Sequence, residues 1–136
     1  MTVTSPEELR DYFLRLAPAF LSRWSSEDNY NIEDDGTFTY CGVCNEFAHY
    51  FIDQTRFKGK SVRRTEPEWQ ETIDEDKLTE LFDFVESVLS SSDFSPILCS
   101  SLKSCFLEDI AQTDSGEYAK KFMGNKSLEF FSKWHI

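Results

Sequence analysis

The amino-acid sequence predicts an all-α fold, a single compact domain of about six helices, and three observations carry that prediction. The chain of 136 residues contains only five Gly and four Pro, too few for the frequent turns of a sandwich or barrel. Thirteen Phe, five Tyr and three Trp supply large side chains that fill a core from few positions. Apolar residues recur three and four apart in several stretches, the spacing of one face of a helix. No low-complexity segment or linker divides residues 1–136, and antiparallel helix pairs of HEAT type are one stacking that suits such a chain. A domain of this size buries about two-thirds of the surface its unfolded chain exposes, enough for a core without staples.

Each element follows from local signals. Ser5 suits a helix cap, Pro6 the first helical position, and Glu8 the closing residue of a capping box. Leu9, Tyr12, Phe13, Leu16, Phe20 and Trp24 then keep helical register, with Pro18 expected to kink the helix or split it in two. Residues 25–37, SSEDNYNIEDDGT, form an acidic connector with a turn at Gly36. A second helix is predicted over about 40–56, placing Val43, Phe47, Tyr50, Phe51 and Gln54 on one face. Arg56, Lys58, Lys60, Arg63 and Arg64 follow as a basic cluster, predicted to be a loop or short hairpin near 56–66 around Gly59.

The clearest helix covers about 75–91. Leu78, Leu81, Phe82, Val85, Val88 and Leu89 make its buried stripe, and Glu80, Asp83 and Glu86 fall outside it. Ser95 and Pro96 start the next helix by the same cap-then-proline pattern, with Leu98, Leu102, Cys105, Phe106 and Ile110 facing inward. Two shorter helices follow, separated by Gly124, which suits a left-handed helix end. The last carries Leu128, Phe131 and Trp134.

Composition narrows the classes of function. A net charge of −11 argues against direct binding of nucleic acid, which needs a basic surface, and against anionic membranes. It favours a basic partner protein, whose approach an acidic surface accelerates. No apolar run reaches the roughly 18–20 residues that cross a bilayer. The first residues, MTVTSPEELRDYF, lack the basic start and apolar centre of a secretory signal. A cytoplasmic protein is therefore expected, with Cys41, Cys44, Cys99 and Cys105 as reduced thiols.

The stretch TYCGVCNEFAHYF, residues 39–51, holds the densest set of reactive side chains. Cys41, Cys44 and His49 are three ligands where a zinc site needs four, and the alternating strands and helices of a thioredoxin-like redox site are missing. The stretch is read as a helix face carrying thiols. His49 and His135 lack an accompanying serine elbow, phosphate loop or His-Glu-x-x-His pattern. Glu108 and Asp109 follow the apolar Cys-Phe-Leu, where a cap or salt bridge accounts for them. No catalytic, cofactor-binding or metal-binding residue is assigned, and an enzyme is not expected. A small hydrolase or metal-dependent enzyme is the remote alternative.

Three segments, LTELFDFVESVLSSSD (78–93), CFLEDIAQT (105–113) and FMGNKSLEFFSKW (122–134), matter together. In that order they resemble a family of small helical immunity-type proteins of bacterial polymorphic-toxin and contact-dependent growth-inhibition systems. Asn125 stands where that family usually has proline, and SSSDFSPIL departs from its commoner Gly-Asp turn. The resemblance covers about 60 residues with their flanking helices. It implies a protein that binds and neutralises a cognate, basic toxin domain, such as a nuclease. A helical adaptor for another basic protein is the alternative. Glu27, Asp28, Glu33, Asp34 and Asp35 are the expected steering residues, with Asp74, Glu75 and Asp76 as a second patch and Tyr30 and Trp69 as aromatic anchors.

Overall fold

The computed structural model describes residues 3–55 and 73–134, and every regular element among them is helical. Helix α1 (Pro6–Leu16) starts as its sequence dictates: Pro6 takes the first position and the Ser5 hydroxyl accepts the Glu8 amide at 3.1 Å. The Glu8 carboxylate does not close the capping box onto Ser5. It accepts from the amide and hydroxyl of Thr4, at 2.6 and 2.5 Å, because Thr4 offers two donors one residue further back. Those two bonds, the hydroxyl first, hold the Glu8 carboxyl below the usual carboxylate range. Pro18 splits the helix rather than kinking it. The chain ends α1 at Leu16 and restarts as α2 (Phe20–Trp24).

Helix α3 (Tyr40–Thr55) is the centre of the molecule. Val43, Cys44, Phe47, Ala48 and Phe51 are fully buried on it, and α1, α2 and, later in the chain, the segment 96–119 pack against it. Helix α4 (Glu75–Ser90) opens on Asp74, whose carboxylate accepts the Lys77 amide at 2.9 Å. Its predicted stripe is buried except for half-buried Leu89, and Phe84, outside that stripe, adds a second contact face by packing on Tyr12 with centroids 4.4 Å apart. Helix α5 (Pro96–Leu102), capped by Ser95, runs on through a wide π turn at Lys103–Leu107 into α6 (Glu108–Ala111). Helix α7 (Asp114–Ala119), a 3₁₀ turn at Lys120–Phe122 and α8 (Asn125–Phe131) complete the chain. Counting α5, the π turn and α6 as one rod gives seven helices and no strand among the described residues, a single compact all-α domain. The basic stretch predicted as a loop or hairpin near 56–66 lies outside the described residues.

Two features correct the sequence reading. Gly124 is not a left-handed helix end; its φ of −82° and ψ of −176° are extended. A Cβ there would sit 2.5 Å from Cδ of Glu86, so any larger residue would have to push that carboxylate out of its place. The Glu86 carboxylate reaches across from α4 and accepts from the Lys126 amide at 2.9 Å, the Ser127 amide at 2.9 Å and the Ser127 hydroxyl at 2.8 Å. The Gly-Asn-Lys-Ser step is thus where one helix supplies the N-terminal cap of another. Burial works to raise the Glu86 carboxyl, but the bonds from Lys126, Ser127 and Ser90 outweigh it and hold the group below the usual range.

The second correction concerns sulfur. Cys41 and Cys105 are not reduced thiols but a disulfide. The first turn of α3 lies against the π turn, bringing their Cα atoms to 5.4 Å, inside the span a disulfide bridges. Cys44 and Cys99 remain free, Cys44 fully buried in the core.

These joints yield two predictions. The disulfide closes a loop of 64 residues, so reduction should lower stability by about 4 kcal/mol in the chain-entropy picture. Urea unfolding with and without dithiothreitol measures this, and a midpoint that reductant leaves in place would refute the bond. Glu86→Ala should cost about 1.5–3 kcal/mol through lost charge-assisted hydrogen bonds. Because the folded carboxyl titrates below the ordinary 4.5, its contribution is complete above that pH and fades as pH falls through the folded value. The variant's acid-unfolding limb should accordingly be flatter than that of the parent.

Candidate functional site

The connector from Ser25 to Thr39 joins α2 to α3 and displays most of the residues singled out for partner binding. Its frame is polar and specific. Asn29, 8% exposed, donates to the Trp24 carbonyl at 2.8 Å, and its side-chain oxygen accepts the Asn31 amide at 3.0 Å. Asn31 in turn donates to Oε1 of Glu46 on α3 at 3.0 Å. Phe38 closes the far end by packing edge-on against Trp24, centroids 4.9 Å apart, beneath the Arg10 guanidinium at 5.3 Å. Thr39 then caps α3, its hydroxyl accepting the Gly42 amide at 3.0 Å.

Between these anchors the connector turns as predicted. Gly36 has φ of +88°, the left-handed region that glycine enters without a steric penalty. Its amide and that of Glu33 close the turn, bonding Glu33 O and Thr37 O at 2.8 Å each. Asp35 accepts from the Thr37 hydroxyl and amide, which keep its carboxyl below the usual range. Asn29, Asn31 and Ile32 point inward, so Glu27, Asp28, Tyr30, Glu33, Asp34 and Asp35 are all exposed. Tyr30 is 87% exposed, the most exposed of the large apolar side chains among the described residues.

Arg23 and Glu46 hold this frame to the helices, and the sequence reading did not single out either. Glu46 is 7% exposed, accepts from Arg23 Nε at 3.0 Å, and shares that guanidinium with Asp53, also at 3.0 Å. A polar notch of about 370 Å³ lies beside it, lined by Ser22, Arg23, Ser26, Asp28, Asn29 and Glu46. The signal was present in the sequence: Glu46 is the only charged residue between Tyr40 and Ile52, and a carboxylate on so apolar a helix needs a cationic or hydrogen-bonding partner.

The second acidic patch is built differently. Asp74 is occupied as the cap of α4, Glu75 approaches Lys121 at 3.8 Å, and Asp76 is exposed. No hydrogen bond or ion pair among the described residues joins the two patches; Arg10, near the middle of α1, covers Phe38 beside the connector, and Arg15 in its last turn pairs with Glu80 of α4. Trp69, the second proposed anchor, lies outside the described residues, as does His135.

The remaining candidates resolve individually. Cys41, Asn45 and His49 line one side of α3, facing the element that carries Cys105 and Asp109. With its nitrogen turned inward, the Asn45 amide donates to Asp109 at 2.7 Å. Burial raises the Asp109 carboxyl, opposed by the charge of solvent-facing His49. Burial also drives the Cys44 thiol far above the ordinary thiol range, so it is no thiolate near neutral pH. What the described surface offers in concentration is negative charge and hydrogen-bond acceptors around one exposed ring. This defines a candidate protein-docking surface on a helical domain. Comparisons with protein-family models, characterised proteins and solved structures return no match for the chain.

The frame is testable apart from any partner. Glu46→Ala removes the acceptor of both Arg23 and Asn31 and should cost about 2–4 kcal/mol, in line with breaking a largely buried ion pair. Its specific signature is local: amide hydrogen exchange of Asn31 and Gly36 should quicken by about tenfold or more while α4 keeps its protection.

Proposed function

We propose that this chain is an immunity protein, one that neutralises a cognate basic toxin domain, such as a nuclease, through a non-covalent interface centred on the 25–39 connector. The observation that carries the reading is a fully displayed tyrosine set among five exposed carboxylates on a backbone pinned from beneath. An ordered loop loses little conformational freedom on docking, which leaves more of the contact energy for affinity. The chain's net charge of −11 and the likeness of its C-terminal half to immunity-type proteins support the same reading. In this mechanism the carboxylates speed encounter and Tyr30 supplies the buried contact that slows departure. The chain acts on no substrate and needs no cofactor, nucleic acid or membrane; its proposed place of action is the cytoplasm of the cell that makes the toxin, where reducing conditions work against the Cys41–Cys105 bond.

The test uses the toxin domain encoded beside this chain, in surface plasmon resonance and in a growth-rescue assay. Binding tighter than about 100 nM is expected, the range of specific interfaces of standard size. Replacing Glu33, Asp34 and Asp35 together by Lys should slow association at least about tenfold at low salt and flatten its salt dependence. Tyr30→Ala should act on dissociation instead. Failure to bind the toxin domain, with rescue absent, overturns the reading; specific capture of an unrelated basic protein would identify an adaptor.

A further inference from the structure

Most of the ionic surface of this molecule is acidic, yet one cavity has the opposite character. A depression of about 180 Å³ is lined by Leu89 of α4, Lys103 of the π turn, and Lys126, Glu129, Phe130 and Lys133 of α8 and the turn after it. Three lysines therefore line one cavity in a chain of 25 acidic and 14 basic residues. Lys120 and Lys121 find carboxylates, Glu117 at 3.1 Å and Glu75 at 3.8 Å. Lys103, Lys126 and Lys133 form no ion pair among the described residues. In a chain with carboxylates in such excess, three lysines without an ion pair around one cavity leave a positive local field that Glu129, the one carboxylate lining it, only partly offsets.

We propose that this cavity binds the phosphoryl group of a small phosphomonoester whose organic part is aromatic. Charge sets the class of ligand. Three lysines less Glu129 give a local balance of 3 − 1 = +2, which matches the charge of about −1.5 to −2 on a phosphomonoester at neutral pH. Glu86, hydrogen-bonded to the Lys126 and Ser127 amides, keeps its own charge but is not one of the residues that line the cavity. Lysine is a compact point charge with three donors, suited to a tetrahedral oxyanion that offers acceptors in several directions. The volume admits one such group and not a length of chain. Phe130 supplies the aromatic wall: the Lys103 ammonium lies over its ring at 5.8 Å, and Trp134 stands 6.3 Å away, centroid to centroid. The Glu86 joint ties the backbone of Lys126 to α4, linking two of the elements that line the cavity.

The experiment is an NMR titration of the full, labelled chain with three probes: inorganic phosphate, phenyl phosphate and benzoate. Saturable shifts confined to residues around Lys103, Lys126, Phe130 and Lys133 are expected with both phosphates. Phenyl phosphate should bind about fivefold tighter than phosphate, the increment of one aromatic contact. A Lys103→Gln/Lys133→Gln double variant, with an unchanged melting temperature, should bind at least about tenfold more weakly. Three results would overturn the proposal: shifts that never saturate, a double variant that titrates like the parent, or benzoate binding as tightly as phenyl phosphate.

Discussion

The fold depends on the Phe47 ring. It stacks on Phe13 of α1 with centroids 4.0 Å apart and planes 4° from parallel, meets Phe20 of α2 edge-on at 5.1 Å, and touches Phe106 of the π turn at 6.0 Å. Phe51, one turn along α3, extends the cluster to Phe82 of α4 at 5.9 Å and to Phe106 at 5.8 Å. Two residues on one helix thereby join elements from most of the chain. Each aromatic pair adds about 0.5–1.5 kcal/mol to what burial alone gives, and every ring named here is fully buried. Such a core locks helix positions more tightly than an aliphatic one, because flat rings leave few alternative packings of equal density.

On that core, two carboxylates organise the surface. Glu46 and Glu86 each project from a long helix, and each is used by donors from a segment distant in sequence, Arg23 and Asn31 in one case, Lys126 and Ser127 in the other. A carboxylate moved out of water is favourable only when its oxygens are fully engaged, so each holds its partner segment in one position. One of those segments presents the acidic connector; the other presents the lysine-lined cavity. The two surfaces of opposite sign therefore share a construction: an acid anchored in a helix and a loop or helix end that cannot move away from it.

Much of this was legible in the sequence, and the division has a physical basis. Ser5–Pro6, Ser95–Pro96, the break at Pro18, the turn at Gly36 and the helix from Glu75 to Ser90 all rest on interactions within four residues, and local patterns report them directly. Exposure of the acids in 27–35 followed from charge alone. The π turn, the Cys41–Cys105 bond and the roles of Glu46 and Glu86 depend on residues 15 to 64 positions apart. Periodicity carries no information at that range. Glu86 was assigned to the solvent side by its place on the helical wheel, and Gly124 to a helix end by residue type; each assignment missed the other as its partner. The resemblance in the C-terminal half had flagged the Gly-Asn-Lys-Ser step, yet only the three-dimensional arrangement explains why a glycine, a serine hydroxyl and two free amides belong together there.

The same construction bears on how an acidic molecule keeps specificity. Negative charge attracts any basic surface and so discriminates poorly; selection requires that the charges stand at fixed distances from a group that must fit. The connector has the means for this in Asn29, Asn31 and Phe38, which tie the backbone carrying Tyr30 and its neighbouring carboxylates to α2 and α3. A mobile loop of identical composition would attract partners equally fast, because attraction at a distance depends on total charge. It would release them sooner, having to surrender its own freedom in every complex. In the complex proposed above, then, composition would govern the rate of encounter and the frame beneath the connector its lifetime, and changes to the buried asparagines should alter the second while leaving the first intact.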